Sequence, residues 1–150
     1  LYLKMLESEI NRCLALKNDE QNTQKESQNV DIRLSINAFI NSELIDSNRV
    51  RLELYRRLSK CASVDEVYEI GAEIEDRFGR LDTFTKQFLD VIIIKILAKG
   101  LDIKAISNFE QNISFMHING EKTIIKAKSK DEDDIIEAIL NHLRSKNANN

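Results

Sequence analysis

The chain has 150 residues, with 22 Lys and Arg against 25 Asp and Glu, and 42% of its residues are hydrophobic. That is the composition of a soluble globular domain long enough to bury one core. The net charge of −3 argues against a dedicated nucleic-acid binder, which needs a basic surface to neutralise phosphates, although it leaves room for a local basic patch. The longest apolar run, Val91–Ile94, stops at Lys95 and is far short of the roughly 18 residues needed to span a bilayer, so no membrane partner is expected. No signal-peptide pattern opens the chain. Cys13 and Cys61 fit no metal-ligand spacing and read as buried reduced thiols, which points to a reducing, cytoplasmic compartment.

Leu3, Leu6, Ile10, Cys13 and Leu14 recur at helical spacing and predict a first helix over residues 1–17. Residues 18–29 are almost entirely polar and predict a mobile loop. Val30, Ile32, Leu34 and Ile36 alternate with polar residues, the period of a half-buried strand. Residues 38–46 then form a connection with a short strand or turn near Phe39 and Ile40. Ser47 is placed to cap a helix over 48–62, and Ser63 one over 64–78, where Ser63 and Glu66 have the capping-box spacing. Gly79 stands where a left-handed C-cap residue is wanted. Asp82 should cap a helix over 83–99 that is apolar around most of its circumference, hence central, with Gly100 ending it.

Strands are predicted over 103–109, 113–118 and 122–127, the last two joined at Asn119-Gly120, a strong hairpin signal. A second capping box, Ser129 to Glu132, opens a helix over 131–145, and residues 145–150 should fray. The expected order is α-β-α-α-α-β-β-β-α: an α+β domain with helices around a small antiparallel sheet. The chain begins within a helical pattern and without an initiator Met, and reads as one domain, 1–150, of a larger multidomain protein.

Little in the chain suggests catalysis or a cofactor. His117 and His142 fit structural or surface roles. There is no phosphate-binding loop, nucleophile elbow, zinc-protease motif or dinucleotide fingerprint. Asp131, Glu132, Asp133 and Asp134 lack the spacing and glycine of a calcium loop, and acidic residues in a first helical turn complement its dipole.

Charge patterning says more. Along the 64–78 helix, Val67, Ile70, Gly71, Ile74 and Phe78 form one face, and Glu66, Glu69, Glu73 and Asp76 form an adjacent acidic ridge. On the preceding helix, Val50, Leu54, Leu58 and Cys61 form the apolar stripe, with Arg49, Arg56 and Lys60 lined up opposite. Two readings stay open. The ridges are solvated faces that partly neutralise each other, or the acidic one steers and registers a basic partner. Arg51 falls close to its helix's apolar stripe, so it either snorkels or meets a carboxylate, Glu75 or Asp76.

Ordered motifs add a family resemblance. Arg51-Leu52-Glu53-Leu54-Tyr55-Arg56-Arg57-Leu58 closely resembles R-L-E-L-Y-K-R-L of the C-terminal domain of bacterial transcription-repair coupling factors, the Mfd family. Glu73, Asp76, Arg77, Phe78 and Gly79 match its E-L-I-D-R-F-G, with Glu75 replacing an apolar residue. Lys95-Ile96-Leu97-Ala98-Lys99 resembles K-L-L-A-K, and Leu1–Glu7 the segment that enters this domain from the translocase. Residues 40–46 resemble I-P-x-x-Y-I-P but lack both prolines and the tyrosine, and Arg80-Leu81-Asp82 replaces P-L-P.

The resemblance implies a non-catalytic regulatory domain without a cofactor. It would belong to an ATP-dependent DNA translocase that displaces stalled RNA polymerase and recruits excision repair through UvrA. The domain would dock on an N-terminal UvrB-like module and mask the UvrA-binding surface, with Glu73 and Asp76 carried over as docking carboxylates and Glu66 and Glu69 added to them from the same ridge. Arg51, Tyr55, Phe78 and Gly79 would be structural. The alternative is a free-standing adaptor that binds nucleic acid or an acidic protein through Arg49, Arg56 and Lys60.

Overall fold

The computed structural model describes residues 30–148. The expected first helix, the polar loop 18–29 and Cys13 lie outside the described residues. From there the elements follow the expected order: β1 (Asp31–Arg33), α1 (Asn48–Ser59), α2 (Val64–Phe78), α3 (Thr83–Gly100), β2 (Ile103–Phe109), β3 (Asn112–His117), β4 (Lys122–Lys126) and α4 (Glu132–Ala148). The fold is α+β, and α4 continues to Ala148, past the expected end at 145, because nothing before it breaks the helix.

Side-chain caps set where three helices begin. Ser47 Oγ accepts from the Val50 N–H and Ser63 Oγ from the Glu66 N–H, both at 3.3 Å. Asp82 accepts from the N–H groups of Phe84 and Thr85 at 3.1 and 3.2 Å, so the first turn of α3 has its orphan donors satisfied. Burial opposes ionisation of Asp82. Hydrogen bonds from the Thr85 hydroxyl and N–H and from Asn41 outweigh that cost and hold its carboxyl below the ordinary value. A depressed carboxylate stabilises the fold above its unfolded pKa, and that contribution is lost as pH falls through the folded one. We therefore expect Asp82→Ala to cost about 1–2 kcal/mol at pH 7. Melting curves at pH 7 and pH 3 should show the gap from wild type shrinking in acid.

The second capping box does not form. Ser129, three residues before the helix begins, accepts through Oγ from the Asp131 N–H at 3.0 Å and donates to Asp134 at 2.7 Å. Glu132 is engaged elsewhere, because its carboxylate accepts the Asn37 N–H from the segment that follows β1.

The sheet has the order β1-β2-β3-β4. Strands β2, β3 and β4 form the expected antiparallel meander. β1 adds in parallel, Asp31 opposite Ala105 and Arg33 opposite Ser107, so the sheet is mixed rather than wholly antiparallel. A parallel neighbour requires a long crossover, and here the connection is the whole α1–α3 region. The β3–β4 turn also differs in detail. Gly120 N–H closes a turn on His117 O at 3.0 Å, and only Gly120 takes positive φ, at 92°. With His117 N–H bonded to Glu121 O, this is a three-residue loop with a glycine bulge.

Two hydrophobic clusters share α3. Ile94, Ala98, Ile106, Ile113, Phe115, Ile135, Ile139 and Leu143 bury the inner face of the sheet against α3 and α4. Leu54, Leu58, Val67, Ile70, Ile74, Leu89 and Ile93 join α1 and α2 to α3. This is why α3 is apolar nearly all round. Gly71 lets α2 approach it closely, since a Cβ there would stand 3.1 Å from Leu89 Cδ1.

Segment 34–46 straps both clusters, with Ile40 and Ile45 buried in the second. Its amides are taken up by side chains of other elements. Ser35 N–H donates to Asn108 Oδ1 at 2.8 Å, Ile40 N–H to the Tyr55 hydroxyl at 2.8 Å, and Asn41 N–H to Thr85 Oγ1 at 3.1 Å. Gln87 donates to Asn37 O at 2.5 Å. Asn41 then turns the chain: its side chain accepts from the Glu43 N–H, and its carbonyl accepts from Leu44 and Ile45. Asparagine chemistry thus makes the bend in an element that lacks the prolines.

Helix α2 ends differently from the expectation. Gly79 has φ 104° and ψ −171°, positive but extended rather than left-handed helical, and its N–H still bonds to Glu75 O at 3.0 Å. That conformation is close to glycine-only, so the residue type is required even though the turn is not the one expected. The left-handed residue after α3 is Asp102, at φ 57°, and the helix runs through Gly100.

Candidate functional site

Helices α1 and α2 form a hairpin whose charged faces flank a shallow cleft. Arg57, Lys60 and Cys61 line it from the end of α1, and Glu66, Glu69, Ile70 and Glu73 from α2. Val67, Ile70, Gly71 and Ile74 are buried, which turns the acidic ridge outward along α2.

The four ridge carboxylates are not equivalent. Glu66 is exposed and folds back to accept the Ala62 N–H at 3.2 Å, one residue before the one a standard capping box uses. Glu73 is half-buried and accepts both arms of the Arg57 guanidinium, at 2.5 and 3.1 Å. Arg77, one turn along, lies 3.9 Å from the same carboxylate. The hydrogen bond from Arg57 is the main reason that the Glu73 carboxyl is held below its ordinary value, and Glu73 in turn raises Arg57. Glu69 and Asp76 are exposed and make no hydrogen bond or ion pair among the described residues.

Arg57 was not among the residues that the charge pattern singled out. A signal for it exists: at about 100° per residue it flanks the α1 apolar stripe on the side opposite Arg51, within roughly 60°. A basic residue that close to a buried stripe seeks a partner, and on this side the partner is Glu73.

Arg51 does not meet Glu75 or Asp76. Its guanidinium donates to Ile45 O at 2.5 Å, to Asp46 O at 3.0 Å and to Asn48 Oδ1, closing the strap onto the first turn of α1. Side chains on a helix lean toward its N-terminus, which carries Arg51 back to those carbonyls, while Glu75 and Asp76 are exposed on α2. Tyr55 accepts the strap amide and packs edge-on against Phe88, with ring centroids 5.0 Å apart. Phe78 packs against the helical cluster beneath the Arg77 guanidinium, which lies 4.9 Å from its ring.

The basic ridge has a different character. Arg49, Arg56 and Lys60 are exposed, but the exposed Glu53 stands four residues after Arg49 and three before Arg56. The ridge is therefore not of a single sign. Cys61 is half-buried and its thiol bonds to Arg57 O at 3.5 Å, with burial pushing its pKa up. His142 packs against Phe115 with ring centroids 4.5 Å apart, and burial lowers its pKa. His117 faces the Thr123 hydroxyl at 3.3 Å. No helix among the described residues is long and apolar enough to cross a membrane.

Residues 34–128, from the strap to just past β4, match the family model described as the TRCF domain. The chain belongs to the TRCF domain family. This TRCF domain is 47% identical over 145 residues to the transcription-repair-coupling factor of Helicobacter pylori, an alignment that takes in 97% of the chain and 14% of that protein. The Staphylococcus aureus factor is 28% identical over 131 residues, 77% of the chain and 11% of that protein. The domain thus spans about 14% of the length of the Helicobacter relative. Its fold matches a crystal structure of the C-terminal domain of transcription-repair coupling factor with a TM-score of 0.67, covering 75% of this chain and 88% of that one at 16% identity. The family expected from the α1 and α2 motifs is the family found.

Proposed function

We propose that this TRCF domain is the non-catalytic regulatory domain of a larger coupling factor. It docks on an N-terminal UvrB-like module of the same polypeptide and masks the surface that binds UvrA. The parent would be an ATP-dependent DNA translocase of the cytoplasm that displaces stalled RNA polymerase, with the motor and polymerase-binding parts outside this chain. The domain itself would use no cofactor.

The observation that carries this reading is the state of Glu69 and Asp76. Both are exposed on α2 and without a partner among the described residues, and Asp76 lies within the stretch that resembles the family's D-R-F-G motif. A basic module could pair with them without unfolding anything. Contacts between exposed charges are weak and salt-sensitive, which suits an interface that must open. Moving such a clamp from mostly closed to mostly open takes on the order of 5 kcal/mol of differential binding. The adaptor reading, through Arg49, Arg56 and Lys60, is less well supported because Glu53 interrupts that ridge.

The test is direct binding of this chain to the UvrB-like module by calorimetry at several salt concentrations. Weak binding that falls as salt rises is the expected result. Salt-dependent binding to duplex DNA, with none to the module, would replace the clamp by the adaptor.

A further inference from the structure

We infer that Arg57 regulates this docking by holding Glu73 in an internal ion pair, an inference that rests on the clamp reading above. Glu73 belongs to the same ridge as Glu69 and Asp76, and it lines the cleft together with Glu66 and Glu69. Unlike them it is already occupied. The Arg57 fork meets both of its oxygens, at 2.5 and 3.1 Å, in the bidentate geometry that makes guanidinium–carboxylate pairs the strongest of their kind.

Both partners are still partly open to solvent, with 40% and 38% of their side chains accessible. The pair is therefore within reach of a competing cation. A basic side chain arriving at Glu73 must displace Arg57 or share the carboxylate with it. The domain thus competes with its own docking partner for one of the four ridge carboxylates. This sets the closed state weaker than the ridge's formal charge suggests, which keeps an autoinhibitory contact releasable.

The experiment measures Kd for the UvrB-like module with wild-type chain, Arg57→Gln, Arg57→Lys, Glu73→Gln, the double variant Arg57→Gln/Glu73→Gln, Asp76→Arg, and Arg80→Gln. The last removes one positive charge outside the pair. Arg57→Gln should bind about threefold to tenfold tighter, the scale of one charge-assisted contact. Arg57→Lys, which keeps the charge but loses the fork, should gain less and guards against a folding defect in the first variant. Glu73→Gln alone should change Kd little, because Glu73 is already engaged, yet in the Arg57→Gln background it should remove the gain. Arg80→Gln should leave Kd nearly unchanged.

Equal tightening by Arg57→Gln and Arg80→Gln would reduce the effect to net charge and overturn the competition. So would a loss of binding on Glu73→Gln alone as large as that from Asp76→Arg. If Asp76→Arg weakens binding while every Arg57 variant is neutral, the clamp stands and only the competition fails. If neither wild type nor any variant binds the module, the clamp reading fails and takes this inference with it.

Discussion

Reversing Glu69 and Asp76 together to arginine is expected to weaken docking on the UvrB-like module at least about a hundredfold. Each reversal removes an attraction and places like charges opposite each other, which costs several kcal/mol at an interface. Each 1.4 kcal/mol is a factor of ten. The fold should not notice, because both side chains are exposed and contact no partner among the described residues. Surface changes of that kind stay within about 0.5 kcal/mol of wild type. Circular dichroism and a melting curve therefore separate lost docking from lost structure. Glu73→Arg is a poorer probe, since it leaves Arg57 facing a like charge inside the hairpin and mixes a stability loss with any effect on binding. A reversal that leaves affinity unchanged would move the contact off this face of α2.

The second large effect lies in the core. Phe115→Ala should destabilise the domain by about 3–5 kcal/mol, the range for truncating a buried phenylalanine. Phe115 is fully buried in the middle of β3, within the cluster that α3 and α4 close over the sheet, and it packs against His142. The cavity cannot collapse easily, because the strands on both sides of β3 are fixed by their ladders. Whole domains are stable by only about 5–15 kcal/mol, so this is a large part of the total. Urea unfolding should show a lower midpoint with an unchanged slope. A loss under about 1 kcal/mol would mean that the sheet core is looser than described.

The local signals in the sequence were reliable where the chain closes its own structure. Ser47, Ser63 and Asp82 mark the starts of α1, α2 and α3, because a cap is a contact over two or three residues. The breadth of the apolar face on α3 announced a helix shared by two clusters. Contacts between distant elements were not legible. Alternation from Val30 to Ile36 says which residues face inward but not which strand they join, so the parallel pairing of β1 with β2 stayed hidden. Ser129 and Glu132 have the spacing of a capping box, yet Glu132 bonds to Asn37, 95 residues away in sequence.

The candidate site divides in the same way. The acidic ridge on α2 follows from helical periodicity alone. The Arg57–Glu73 fork depends on how α1 lies against α2, which no pattern within either helix states. Arg51 shows the converse: its place near the apolar stripe was clear, but its partners are carbonyls of the strap rather than carboxylates of α2.

The central claim is that docking of this domain masks the UvrA-binding surface. Its most direct test is UvrA binding by the full-length coupling factor, with and without Glu69→Arg and Asp76→Arg, at matched protein concentrations. The clamp predicts that the wild type binds UvrA weakly and the variant binds it tightly without polymerase present. Equal UvrA affinity in the two proteins, with the variant domain still folded, would contradict it.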